Sequence, residues 1–273
     1  MKSFNNKVAA ITGAGSGMGR ALATSLASRG CHLALADNNK SALEETAENC
    51  RSYNVDVTTY IVDVSNKDSV YTFADDVVRD HNHVNLVFNN AGVSLTDNVE
   101  HMTYQDFNWL MDINFWGVVY GSKAFLPHMQ KVEEAHIVNT SSIFGTIAVP
   151  SQSAYNASKF AVRGFTYALR MELEKTHINV SCVQPGGVKT NIVRDSRYIA
   201  PDNAAPTKEE ITATGDIGLY YPKSEILNLL GNVEVIENNN YVKCDELYLD
   251  IKNSTSIMKS KSSNRVEAYI TNN

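Results

Sequence analysis

Positive charge is in short supply in this chain. Lysine and arginine together number 24 against 30 aspartates and glutamates, a formal net charge of −6. No basic field is present to hold a polyphosphate backbone, so no nucleic-acid partner is expected. Long apolar runs are missing as well. None approaches the ~18 residues a membrane-spanning helix needs, so no membrane span is expected. The amino terminus, Met1 to Lys7, lacks an apolar targeting stretch followed by a small-residue cleavage site, and the expected location is the cytoplasm. Cysteine is sparse too. Cys31, Cys50, Cys182 and Cys244 show neither CxxC nor Cys/His spacing, and the seven histidines show no metal-ligand spacing. Neither a disulfide framework nor a metal is expected.

What remains is an ordinary globular composition, 43% hydrophobic over 273 residues, enough to bury a core. Residues 1–190 alternate short apolar runs with longer helical patterns. The expected strands are Val8–Thr12, Leu33–Ala36, Val57–Val62, Leu86–Asn90, His136–Ser141 and Asn179–Val183. Nearly continuous apolar character suits strands covered on both faces. Helices are expected at Gly17–Arg29, Lys40–Tyr53, Asp68–Asp80, Tyr104–Met129 and Ala154–Lys175, with capping boxes at Ser65/Asp68 and Thr103/Asp106. Six strands alternating with five helices predict an α/β fold with a doubly wound parallel sheet and right-handed crossovers.

The texture changes after about residue 195. Segment 198–210 reads as a loop. From 211 to 273, alternation with period two takes over at Val233/Val235, Leu247/Leu249/Ile251 and Val266/Ala268/Ile270. Turn signals recur between them, which predicts a short antiparallel β segment. The expected domains are therefore 1–210 and 211–273.

The first strand runs into Thr12-Gly13-Ala14-Gly15-Ser16-Gly17-Met18-Gly19 and then a helix. A pyrophosphate needs backbone N–H donors and a close approach that a Cβ would block, and a helix amino terminus adds a favourable dipole. Alone, such a loop also reads as a flexible turn. Here Asp37 closes the second strand, where it can accept from adenosine ribose hydroxyls and repel a 2′-phosphate; its bland alternative is a turn aspartate. No Arg or Lys stands at 14, 16, 38 or 39, which favours NAD, with NADP possible through Lys40. Asp63-Val64 ends the third strand, where an adenine edge would lie. Asn89-Asn90-Ala91-Gly92 ends the fourth, at the rim that lines a ligand crevice.

Tyr155 and Lys159 stand four apart and share a helix face. A phenol near pKa 10 is a poor acid–base at neutral pH, and a nearby ammonium lowers that value. The pair also reads as a solvated helix contact. Ser142 follows the fifth strand, where its hydroxyl can hold a carbonyl oxygen or simply shape a loop. Asn114 lies inside an apolar helix, unfavourable unless its amide is used, functionally or structurally.

Together these residues, with Pro185-Gly186-Gly187-Val188-Lys189-Thr190, resemble the short-chain dehydrogenase/reductase family over residues 5–190, in family order and spacing. The resemblance implies a Rossmann-type fold and hydride transfer between a nicotinamide cofactor and a carbonyl or alcohol. It implies Tyr155 as general acid/base, Lys159 on the nicotinamide ribose, Ser142 orienting substrate and Asn114 holding a relay water. It places Gly13, Ser16, Gly17, Met18, Gly19, Asp37, Asp63, Val64, Asn90, Ala91 and Gly92 against the cofactor, with Tyr155, Lys159, Pro185, Gly186, Val188 and Thr190 at its nicotinamide end. Candidate substrate walls are Ser94, Leu95, Ile143, Phe144, Val149, Gln152 and Gly187, mostly apolar, which suggests a small hydrophobic alcohol or ketone. Trp109 and Trp116, seven apart, are expected to pack in the core. Helices 104–129 and 154–175 are candidates for a homo-oligomer interface.

The family pattern stops at about 210, without its usual last helix and seventh strand. Gly231-Asn232-Val233-Glu234-Val235 and Asp245-Glu246-Leu247-Tyr248-Leu249-Asp250 resemble the OstA-like β-jelly-roll modules of lipopolysaccharide transport. Three readings are open: a working oxidoreductase with an unusual tail; a nucleotide-binding hybrid whose β segment takes a lipid or partner strand; or a chimera of two joined segments. Loss of the last helix and strand would leave the sixth strand as an open edge unless the tail strands cover it.

Overall fold

The computed structural model describes residues 3–186, 192 and 196–198, together with strand residues 211–214, 217–221, 226–237, 240–250, 255–259 and 267–269. The chain divides into two compact units, Met1–Pro185 with Thr190–Ile199, and Gly186–Lys189 with Ala200–Asn273.

The first unit runs β1 (Val8–Thr12), α1 (Gly17–Ala27), β2 (His32–Asp37), α2 (Lys40–Arg51), β3 (Val57–Ile61), α3 (Lys67–His81) and β4 (Leu86–Asn89). It continues through β5 (Leu95–Thr96), α4 (Tyr104–Met111), α5 (Gly117–Met129), β6 (Ala135–Thr140), α6 (Ser153–Glu172), β7 (Ile178–Val183) and β8 (Arg197–Tyr198). Strands β3-β2-β1-β4-β6-β7 form one six-stranded sheet, parallel throughout. The Rossmann-type α/β architecture expected from the alternation is the one observed. Each central strand serves two cores. Val8 and Ala10 of β1 face a cluster with Phe73, Phe125 and Ile137, while Ala9 and Ile11 face another with Leu26, Leu35 and Leu43. Strands covered on both faces have no polar face, which is why their sequences are apolar without interruption.

Several local expectations are corrected. The helix expected over Tyr104–Met129 is broken by a π turn, Asp112–Trp116, between α4 and α5. The wider turn rotates α5 relative to α4, so Trp109 and Trp116 leave their common face. Trp109 packs beside Leu95 and Leu110, whereas Trp116 is 43% exposed and stacks on Tyr120. Thr103 caps α4 as expected, accepting from Asp106 N at 3.1 Å. Ser65 does not cap α3. Its hydroxyl is held by Asp63 Oδ1 at 2.7 Å, and Asn66 caps instead, accepting from Ser69 N at 3.0 Å.

β7 is the outer strand of this sheet. Val183 O accepts from Ser141 N on the β6 side, so residue 183 and its alternates face inward and Ile178 and Val180 face outward. Side chains hold two of the outward groups. Arg170 Nε donates to Val180 O at 2.8 Å, and Ile178 N donates to Thr176 Oγ1 at 3.1 Å.

Two histidines tie the sheet to acid stability. His81 Nε2 lies 2.7 Å from Thr58 Oγ1, and His136 Nε2 lies 2.8 Å from Ser181 Oγ. Burial lowers the pKa of both from 6.5. The unfolded chain then binds protons more readily, so this stability is complete above pH 6.5 and is lost as pH falls below it. The melting temperature is expected to drop between pH 7 and 5, less steeply in His81→Gln/His136→Gln. Equal slopes would refute the assignment.

The second unit contains β9 (Ile211–Thr214), β10 (Ile217–Tyr221), β11 (Ile226–Glu237), β12 (Asn240–Asp250), β13 (Thr255–Lys259) and β14 (Glu267–Tyr269). The order is β10-β11-β12-β13, with β9 on β11 and β14 on β12, all antiparallel. The register of β11 against β12 shifts between Leu230 and Val233. The intervening Gly231 is a residue type that favours such a bulge.

Candidate active site

The strand order reverses between β1 and β4, and such a switch point opens a crevice at the carboxyl ends of the strands. Thr12, the last residue of β1, ties the two strand ends together. Its hydroxyl accepts from Asn90 N at 3.0 Å and Ala91 N at 3.1 Å, and Asn90 Nδ2 donates to Thr12 O at 3.0 Å. The loop between β1 and α1 needs its glycines. Gly13 has φ +65°, and a Cβ there would lie 2.9 Å from Ala91 Cα. A Cβ on Gly19 would collide with Gly13 O. Ser16 is the amino-terminal cap position of α1, yet its side chain makes no capping bond. Met18 lies in the first turn of that helix.

Asp37 closes β2 and uses both oxygens on backbone N–H groups, Gly15 N at 2.8 Å and Asn39 N at 2.9 Å. Asp63 is exposed and turns onto Ser65. Val64 packs where a Cβ on Gly117 would come within 3.1 Å. Of six buried side-chain polar atoms without a partner among the described residues, one is Asn90 Oδ1. A cradle that Cβ atoms would fill, helix amides left uncapped and an unpaired acceptor together fit a dinucleotide.

The second half of the crevice is built from β6 and α6. Ser142 begins a short 3-10 turn, Ile143–Gly145, and its hydroxyl accepts from Phe144 N at 3.1 Å. Tyr155 lies in the first turn of α6, edge-on to Phe144 with ring centroids 6.2 Å apart. Burial raises the Tyr155 phenol above its usual pKa, and a hydrogen bond with Ser142 offsets part of that rise. Lys159 is 2% exposed. Its Nζ donates to Thr140 O at 3.2 Å and lies 5.5 Å from the Tyr155 ring centroid. Burial pulls its pKa down to about 8. Without cofactor, the Lys159 ammonium sits over the Tyr155 ring face, and Ser142 is the contact that lowers the phenol.

Asn114, fully buried on the π turn, is satisfied through its side chain. Oδ1 accepts from Val93 N at 2.8 Å, while Nδ2 donates to Val93 O at 2.9 Å and Ser158 Oγ at 3.2 Å. The side chain thus bridges the π turn to Val93 and to Ser158 of α6. Gly92 keeps a gap open beside it. A Cβ there would lie 3.2 Å from Asn114 Oδ1 and 3.4 Å from Lys159 Nζ. Pro185 joins the same end, its carbonyl accepting from Ile143 N at 2.8 Å. Gly186 is described, but Gly187, Val188 and Thr190 lie outside the described residues.

The family model for short chain dehydrogenases matches residues 7–198. The chain belongs to this family. SadH of Mycobacterium tuberculosis is 48% identical over 198 residues, 72% of each chain. Human estradiol 17-beta-dehydrogenase 11 is 36% identical over 197 residues, 71% of this chain and 66% of its own. A Burkholderia phymatum short chain dehydrogenase/reductase, solved in complex with NAD, superposes with a TM-score of 0.70 at 39% identity, covering 71% of this chain and 70% of its own. As a short chain dehydrogenase, the chain is an NAD(P)-dependent oxidoreductase by family. The family match ends at 198, and nothing in it supports the jelly-roll resemblance of 211–273.

The sequence alone names Thr12 only as the start of the phosphate loop, without its hydroxyl's role in tying β1 to β4, and it misses Arg20 and Ser158. A polar residue at the carboxyl end of an apolar strand was the available signal for Thr12. Arg20 carries positive charge in the first turn of a helix, where the dipole disfavours it. Of the proposed substrate walls, Leu95 is fully buried with Leu110 and Ala154 and is a packing residue. Gln152 donates to Thr96 Oγ1 at 2.8 Å. No helix among the described residues is long and apolar enough to cross a membrane, and none of their acidic, histidine and cysteine groups could hold a metal.

Proposed function

We propose that the protein interconverts a small hydrophobic secondary alcohol and its ketone or aldehyde, using NAD in preference to NADP. The reading rests on Ser142, Tyr155 and Lys159 converging where β6 and α6 meet the β1/β4 crevice. A bound nicotinamide cofactor would exchange hydride with the substrate carbon. The Tyr155 phenol delivers a proton to the carbonyl oxygen in reduction and removes it in oxidation. Ser142, fixed by Phe144 N, orients that oxygen. Lys159 presents its ammonium to the nicotinamide ribose, and Asn114 supports the relay behind it. Gly13, Ser16, Gly17, Met18 and Gly19 hold the pyrophosphate, with Asp37 on the adenosine ribose, Asp63 and Val64 beside adenine, and Asn90, Ala91 and Gly92 along the crevice floor. Pro185, Gly186, Val188 and Thr190 are assigned to the nicotinamide end.

NAD is favoured because Ala14, Ser16, Asn38 and Asn39 offer no cation near Asp37. Phe144 beside Tyr155 favours an apolar substrate, and a relative named for estradiol agrees with that class. Titration with NADH and NADPH, followed by nicotinamide fluorescence, tests the reading. At least tenfold tighter NADH binding is expected (~1.4 kcal/mol), and failure of both to bind would refute it. Trp116, Phe160, Tyr167 and Met171 leave apolar surface on the helices at 104–129 and 154–175, which supports a homo-oligomer built there.

A second reading keeps nucleotide binding without efficient turnover in a chimeric chain of domains 1–210 and 211–273. It is motivated by β7 as the sheet edge and by the antiparallel strands of the second unit, which suit a lipid or partner strand. NADH binding without turnover of any secondary alcohol or ketone would favour it.

A further inference from the structure

Arg20 sits where an anion-binding helix least needs competition. A free guanidinium in the first turn of α1 would draw a phosphate out of the loop. It is not free. Arg20 Nη2 donates to Gly15 O at 2.7 Å and Nε to the same oxygen at 3.2 Å. The outer edge of its fork grips Glu45 of α2, Nη1 to Oε1 at 2.7 Å and Nη2 to Oε2 at 2.9 Å. Thr46 Oγ1 reaches Gly15 O as well, at 3.5 Å. On its other side, Gly15 N donates to Asp37 Oδ2 at 2.8 Å, and a Cβ on Gly15 would lie 2.9 Å from that oxygen. One glycine is thus fixed from three elements: β2 through its N–H, and α1 and α2 through its carbonyl.

The planarity of the peptide unit gives this a directional consequence. Across a trans peptide, the carbonyl of one residue and the N–H of the next point opposite ways. Gly15 O points to Arg20, so Ser16 N–H points away from it. Ser16 has extended backbone and makes no side-chain capping bond, so its N–H and the first amides of α1 are the donors the loop offers an anion.

We propose that Arg20 and Glu45 form a clamp that sets the orientation of the Gly15–Ser16 peptide and so pre-organises the pyrophosphate-binding loop. Arg20 is a positioning residue: it acts through a carbonyl and does not touch the cofactor. Glu45 has two roles. It supplies the second anchor that holds the guanidinium flat against Gly15 O, and it neutralises the guanidinium's charge beside the loop. A lysine cannot replace Arg20, because a point charge lacks the fork that joins a carbonyl to a carboxylate. The inference rests on the dinucleotide reading of the loop.

Nicotinamide fluorescence on the full chain tests it, with wild type, Arg20→Gln, Arg20→Lys, Glu45→Gln and the double variant. Arg20→Gln is expected to weaken NADH binding about tenfold, Arg20→Lys nearly as much, and Glu45→Gln about threefold (~0.7–1.4 kcal/mol). The double variant is expected to match Arg20→Gln alone, since the two residues act as one unit. Competition by adenosine, which has no pyrophosphate, should change by less than about twofold in every variant. Unchanged NADH affinity in Arg20→Gln, while wild type binds NADH, would overturn the clamp alone. Equal losses for adenosine and NADH would also overturn it, by showing general disruption of the unit. A wild-type protein that binds no NADH would overturn the underlying site reading and the clamp with it.

Discussion

Tyr155→Phe is expected to cut turnover by about 100- to 10,000-fold, the range for removing a general acid–base group, while NADH affinity changes by less than about threefold. The variant deletes one oxygen. It keeps the ring that meets Phe144 edge-on and lies beneath Lys159 Nζ. Steady-state kinetics with a secondary alcohol and its ketone, alongside cofactor titration, make the measurement. Equal turnover by both proteins would refute the acid–base assignment. The pH profile has a sign as well. Burial raises the phenol pKa, so the free protein holds it protonated at neutral pH, ready to donate to a carbonyl. Oxidation needs the phenolate, and its rate is expected to climb as pH becomes alkaline.

Lys159→Met is expected to abolish turnover and stabilise the protein at the same time. The ammonium is buried at 2% exposure, and its pKa falls from 10.5 to about 8. The unfolded chain holds that proton more tightly, so the fold carries the full cost at pH 7 and is relieved only as pH rises from 8 to 10.5. A shift of this size corresponds to roughly 3 kcal/mol. Methionine fills similar volume without charge, and the lost hydrogen bond to Thr140 O returns about 1 kcal/mol of the gain. A net stabilisation of about 2 kcal/mol, near 5 °C in melting temperature, is expected without cofactor. The difference between variant and wild type should shrink toward pH 10. A variant no more stable than wild type at pH 7 would contradict this. Such a residue is kept against the interest of the fold, a trade of stability for activity.

The central sheet was legible because its strands are buried on both faces. A run such as Val8–Thr12, all five residues buried, can be read without knowing its neighbours. The Tyr155/Lys159 pair was legible because four residues on a helix are one turn, whatever surrounds them. Contacts made by one side chain on a distant backbone were not legible. Ser65 and Asn66 both suit a helix cap, and the choice was made by Asp63 capturing the Ser65 hydroxyl. The π turn was hidden because Asn114 is held through Val93, twenty-one residues away. Arg20 read as an ordinary helix residue because Glu45 and Gly15 reach it only once α1 and α2 pack together. The polar chain from Asn89 through Asn139 to Thr166 was equally hidden, since each residue reads as an interruption of an apolar element until the three meet.

The two side-chain bonds on the outer rim of β7 bear on what can join this sheet. An incoming strand pairs by exchanging backbone bonds in sequence, and here it would meet Val180 O already taken by Arg170 and Ile178 N by Thr176. To add itself, it would have to evict Arg170 from a position where the guanidinium also lies 5.5 Å from the Tyr167 ring centroid. Arg170 therefore works as a stopper in the hydrogen-bond ladder. The same arginine that looks like surface decoration on α6 helps determine where the sheet ends.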